Sequence, residues 1–169
     1  MTSILACLIN LCRLRAAPQD LPYSALLMVV TMSCYFLVGL GVSLAEQKFG
    51  PALLTSLVDL ALLVGLARLS LWITNHGTRA VQTITALAGT GTLFELMAWP
   101  LIISLQAMGD QPSSMLSLLL LALIVWNIVV IGHILRHALD LAMWVASGVA
   151  LLYIYTSMRV MSALYVAGT

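Results

Sequence analysis

Long apolar stretches separated by short polar breaks run the length of this 169-residue chain. Breaks at 46–50, 75–78 and 109–112, and a short connection before 141, leave five apolar segments at about 22–45, 51–74, 79–105, 114–134 and 141–163. Each is near the ~20 residues that an α-helix needs to cross a bilayer. Ahead of them, 1–16 has helical spacing but is too short to span. Ser3, Ala6, Asn10 and Arg13 fall on one face, and Ile4, Leu5, Leu8, Leu11 and Cys12 on the other. This pattern predicts an interfacial amphipathic helix, with Arg13 and Arg15 against lipid phosphates. Pro18 and Pro22 then turn the chain.

Details inside the segments refine the expectation. Pro22 suits a first helical turn, and Tyr23 an interface. Gly39, Gly41 and Ser43 permit close helix approach. The third segment carries Ala88-Gly89-Thr90-Gly91-Thr92, then Glu95, then a kink expected at Pro100. Ala88, Gly91, Thr92, Glu95 and Ala98 make a narrow stripe of mostly small residues ending near the carboxylate. The fourth segment has Asn127 near its middle, read as a hydrogen bond to a neighbouring helix. Gly148, Leu152, Tyr155 and Arg159 share one face of the fifth.

Composition agrees. The chain is 62% hydrophobic and 8% charged, against about 25% charged in a soluble domain. Its mean hydropathy is +1.09. The fold class is therefore an all-α polytopic membrane helix bundle, one integral membrane domain over 1–169. A net charge of +1 and no basic stripe argue against nucleic-acid binding. Cys7, Cys12 and Cys34 form no CxxC pair and read as reduced thiols. No basic region precedes the first apolar run, so no signal peptide is expected. GxSxG, HExxH, P-loop and paired Cys/His motifs are all absent, so neither an enzyme nor a cofactor is expected.

Basic residues set the expected orientation. With the N-terminus cytoplasmic, Arg13, Arg15, Arg68, Arg79 and Arg136 share the cytoplasmic side, and Lys48 lies outside. The expected location is a bacterial inner membrane, with the C-terminus outside.

Ionisable residues within the spans are the candidate chemistry. At about 1.5 Å per residue, Asp59 lies about 12 Å below the outer start of its span. Glu95 lies about 24 Å from Arg79, and Arg159 about 27 Å from the inner start of the last span. All three reach similar depth in the outer half. The expected cluster is Asp59, Glu95 and Arg159, capped by Tyr155 and Thr92. Two carboxyls sharing one arginine leave one to carry a proton or to take a further cation. His133, Arg136 and His137 gather at a cytoplasmic helix end with Asp140. Two good ligands are too few to expect a metal, and cations suit a helix C-terminus without one. Haem would need two histidines meeting across helices at one depth, and His76 is in a loop.

The Arg-then-Pro approach (Arg13, Arg15, Pro18, Pro22) followed by five close-set spans resembles bacterial Yip-type membrane proteins. The stretch WNIVVIGHILRHALDLAMWVASGVALLYIY, from Trp126 to Tyr155, resembles their last two spans. The tyrosine–glycine motif of the first spans of eukaryotic members is absent. The resemblance implies a five-helix fold and a scaffolding or adaptor role, with no catalytic residues.

The leading functional expectation is a non-catalytic accessory, assembly or scaffold subunit of a larger inner-membrane complex. Its partners would be lipids and other integral membrane proteins. The alternative is a small proton- or cation-coupled transporter or channel, with a homo-oligomer as one form, using Asp59, Glu95 and Arg159.

Overall fold

A computed structural model describes residues 4–45, 47–108 and 113–168, with side chains up to residue 164. The turn expected at 109–112, Glu46 of the polar loop and residues 1–3 of the first helix lie outside the described residues. Six α-helices follow in order: α1 Ile4–Cys12, α2 Ala25–Leu44, α3 Phe49–Ile73, α4 Ala80–Ala107, α5 Ser114–Leu139 and α6 Met143–Gly168. Short 3-10 turns lie at Pro18–Asp20 and Gly77–Arg79. Four helices, α2 to α5, are long and apolar enough to cross a membrane, as in a multi-pass membrane protein. α6 is as long as α5, but Thr156, Ser157 and Arg159 interrupt it and it is less apolar than those four.

Local chemistry sets the helix ends. α2 starts three residues beyond Pro22, because Ser24 caps it: its Oγ accepts from the Leu27 N–H at 3.3 Å. Pro51 sits in the first turn of α3, where its missing N–H costs nothing. α4 continues through Pro100 to Ala107. α1, α3 and α5 are each followed by a left-handed residue: Leu14 (φ 59°), Asn75 (φ 57°) and Asp140 (φ 54°). After each, the next N–H reaches back to a helix carbonyl, Arg15 to Asn10 at 2.8 Å, His76 to Leu71 at 2.8 Å and Leu141 to Arg136 at 3.2 Å.

α4 is the axis of the bundle, packed against α1, α2, α3 and α5. Every residue from Thr83 to Thr90 is buried. The threonines satisfy themselves within the helix. Thr83, Thr85, Thr90 and Thr92 each donate to the carbonyl four residues back, at 2.7–2.8 Å. Polar residues therefore enter the core without needing partners on other helices.

α1 does not lie apart from the bundle. Cys7, Leu8 and Leu11 are buried against α4 and α5, while Ile4, Leu5 and Ile9 face outward. Leu8 fits where Gly89 has no side chain, and a Cβ there would come within 2.7 Å of it. Gly89 is about 14 Å along α4 from Ala80, so α1 packs well within the length of that helix. The Trp126 indole N–H donates to the Cys12 carbonyl at 3.0 Å, and His133 Nε2 meets the Ala16 carbonyl at 2.9 Å. The apolar face expected to meet lipid is thus turned partly onto the bundle, with Cys7, Leu8 and Leu11 packed inward. Burial also pushes the Cys12 thiol up to about 11. Since the thiolate is the nucleophile, Cys12 is poorly reactive near neutral pH. In a Cys7→Ala/Cys34→Ala background, maleimide labelling of Cys12 should rise about tenfold per pH unit between 7 and 9. A rate independent of pH would contradict this burial.

Hydrogen bonds between loops seal the end of the bundle that carries Arg15, Arg79 and Arg136. Arg79 Nη1 donates to Asp140 Oδ2 at 2.8 Å and to the carbonyls of His137 and Ala138 at 3.3 Å. His76 Nε2 lies 3.3 Å from the same Asp140 oxygen. Gln82 and Gln19 tie the 3-10 turn to α4 and α5, through the Leu21 carbonyl at 2.7 Å and the His137 carbonyl at 2.8 Å. Asp140→Gly should leave the melting temperature nearly unchanged. It loses a half-exposed ion pair of about 0–1 kcal/mol and gains relief of about 1 kcal/mol at a left-handed residue. Asp140→Val loses the pair and adds strain, and should cost about 2 kcal/mol. Thermal melts in detergent distinguish the two.

Candidate functional site

The middle of the bundle holds a cavity of about 190 Å³ to which α2, α3, α4, α5 and α6 all contribute. Its polar lining is Tyr35, Asp59, Glu95, Asn127, Tyr153 and Ser157. Each stands well inside its helix. Tyr35 is about 15 Å along α2, Asp59 about 15 Å along α3, Glu95 about 22 Å along α4 and Asn127 about 20 Å along α5.

Asp59 is answered on both oxygens. The Tyr35 hydroxyl donates to Oδ2, and Ser157 Oγ donates to Oδ1 at 3.0 Å. Hydrogen bonds to a charged group contribute about 1.5–3 kcal/mol each. A carboxylate at membrane depth costs about 3 kcal/mol on insertion scales. Two such bonds therefore offset part of the cost at Asp59. Glu95 has no such answer: its Oε2 is buried and has no hydrogen-bond partner among the described residues. Oε1 points towards Gly39, where a Cβ would sit 3.2 Å away. Among the described residues, no lysine, arginine or histidine lines the cavity. Glu95 is thus an acceptor with room beside it and no donor.

Glycine makes the geometry possible. A Cβ on Gly91 would lie 2.7 Å from Tyr35 Cε2, so the ring reaches Asp59 only by lying across Gly91. The small-residue run of α4 thus serves two contacts, Leu8 at Gly89 and Tyr35 at Gly91.

Of the residues expected from sequence, Asp59 and Glu95 share the cavity and Arg159 does not join them. Arg159 is exposed and forms no ion pair with either among the described residues. Helix phase explains this: Arg159 and Tyr155 each lie two residues from Ser157, about 200° around α6. Tyr155 is 63% exposed. Tyr153, four residues before Ser157, faces the cavity with it. Thr92 is buried but bonds within its own helix rather than to a carboxyl. Asn127 lines the cavity and has no hydrogen bond to a neighbouring helix among the described residues.

His133, Arg136 and His137 have a different place. They lie in the last turns of α5, at the end that carries Arg79. His137 Nδ1 meets the His133 carbonyl at 2.9 Å, and the two rings lie 4.4 Å apart at 58°. With His133 bonded to Ala16, both imidazoles hold backbone together, while Arg136 is exposed. Asp140 turns to Arg79 and His76 instead. Among the described residues, no three of His, Cys, Asp and Glu gather as metal ligands. Arg13 and Arg15 are exposed at this same end.

Fold and cavity together define a helical, multi-pass membrane protein with a polar site at the centre of its bundle. Among known families, curated proteins and solved structures, none matches this chain.

Proposed function

We propose that this chain is a small carrier or channel of a bacterial inner membrane that binds a proton or cation at Glu95 and Asp59. The observation that carries the reading is the buried, unpartnered Glu95 Oε2 beside a cavity with no basic residue. Intramembrane carboxylates in such surroundings mark ion and substrate paths. Asp59, fixed by Tyr35 and Ser157, supplies a second carboxyl beside Glu95. Glu95 is the group that loads and unloads. The end carrying Arg15, Arg79 and Arg136 faces the cytoplasm in this reading, by the positive-inside rule.

The scaffold reading retains one supporting feature, the exposed apolar far half of α5 with Leu118, Leu121 and Val125. Part of the polar face it would offer a partner is answered within the chain, because Asp59 accepts from Tyr35 and Ser157. The Yip-type layout stands as a companion proposal for the frame alone. The test is flux: purified protein in liposomes, with a pH-sensitive dye inside and an imposed proton or methylammonium gradient. Dye response above empty liposomes supports the carrier. No response under either gradient, with stoichiometric companion chains in a mild-detergent extract, favours the scaffold.

A further inference from the structure

The central cavity has a neighbour on one side. Glu95 and Asn127 line it, and the same two residues line a second cavity of about 110 Å³, a groove between α4 and α5. The rest of that groove is Phe94, Ala98, Leu120, Leu123 and Ile124. Apart from Glu95 and Asn127, none of its side chains can form a hydrogen bond.

Packing explains why the groove exists. All buried residues of α5 lie between Val130 and Leu139, and those of α4 end at Phe94. Small residues close the bundle at that end: Gly132 lies against Ser147, and Ala146 and Ala150 are fully buried. Beyond Asn127 the far half of α5 is mostly exposed, including Leu118, Leu121 and Val125. The groove therefore lies at the face that a bilayer would cover, just where the polar site begins.

From this shared lining we infer that the ligand is an amphiphilic amine that enters from the bilayer between α4 and α5. Its ammonium head pairs with Glu95, the near part of its alkyl chain lies in the groove, and the rest extends into the bilayer. The inference rests on reading the cavity as a cation site and adds the substrate class. Three features select that class. The unpartnered carboxyl oxygen asks for a donor, and a positive one where two carboxyls converge. The cavity, about 190 Å³, has the volume of about six waters, too large for a bare ion and sufficient for an amine head. The groove offers apolar contact only, which suits a hydrocarbon tail and no polar solute. An anionic amphiphile would meet like charge at Asp59.

The experiment uses the full chain in phosphatidylcholine nanodiscs, with radiolabelled dodecylammonium and methylammonium as probes. Binding is read as the saturable part above empty nanodiscs. Wild type should bind both. Leu123→Trp and Ile124→Trp, which fill the groove, should weaken dodecylammonium at least about tenfold and leave methylammonium within about twofold. Dodecanol should compete poorly, because it lacks the charge. If dodecylammonium is unaffected by both groove variants, or dodecanol competes equally, the inference is overturned. If methylammonium binds through Glu95 but dodecylammonium shows no saturable binding, the inference fails and the cation site stands. If neither amine binds and Glu95→Gln changes nothing, both fall.

Discussion

Glu95→Gln is expected to abolish gradient-driven flux and to weaken methylammonium binding about tenfold, without unfolding the protein. The magnitude follows from exchanging a charge-assisted hydrogen bond for a neutral one, a difference of about 1–1.5 kcal/mol. Stability should hold or rise, because the wild-type carboxyl has a buried oxygen with no partner and the amide removes any charge there. This opposition of function and stability separates a binding group from a packing group. A structural carboxyl would lose stability on the same change. Asp59→Asn should behave differently, since both Asp59 oxygens accept hydrogen bonds. An amide can accept from only one of Tyr35 and Ser157 and faces the other with its own donor. That variant should lose both binding and melting temperature. Comparing the two melts checks the division of labour between the carboxyls.

Gly91→Ala should be strongly destabilising. Its Cβ would lie 2.7 Å from Tyr35 Cε2 and 3.0 Å from Cδ2, against a ring rather than the free end of a flexible chain. Overpacking costs about 1–3 kcal/mol, and displacing the Tyr35 hydroxyl from Asp59 removes a bond of about 1.5–3 kcal/mol. A loss of about 3–5 kcal/mol is expected in reversible unfolding in detergent. The coupling is directly checkable. In a Tyr35→Ala background the ring is gone, and Gly91→Ala should cost less than about 1 kcal/mol. Equal costs in the two backgrounds would mean that Gly91 serves some contact other than Tyr35. By contrast Gly65→Ala, with nothing within 4 Å of its Cβ, should be neutral or mildly stabilising.

Much of the fold was legible because a bilayer leaves the chain few choices. Apolar runs of adequate length became helices close to where the polar breaks suggested, and 79–105 became the central helix Ala80–Ala107. α5 extended five residues beyond 134, because His133 and His137 bond backbone carbonyls rather than breaking the helix. Asp59 and Glu95 came together as depth arithmetic required, since helix rise is nearly constant. Depth says nothing about rotation, and there the reading of Arg159 parted from the structure. Opposite charge suggested a partner, but Arg159 lies on the face of α6 that points away from Asp59. Tyr153 and Ser157, four apart, were the sequence signal for the inward face of α6. Tyr35 had no signal of its own, and only the pairing of α2 with Gly91 brings it to Asp59. The docking of α1 was equally hidden. Its amphipathic pattern predicted water on one face, and the contact of Leu8 with Gly89 depends on tertiary packing.

The central claim is that Glu95 is an open acceptor waiting for a cation inside the bundle. Infrared difference spectroscopy of the protein in nanodiscs, with and without methylammonium, addresses it most directly. Binding should perturb one carboxyl band, absent in Glu95→Gln and retained in Tyr35→Phe. If methylammonium leaves every carboxyl band unchanged, or if the band persists in Glu95→Gln, the site is not a cation site.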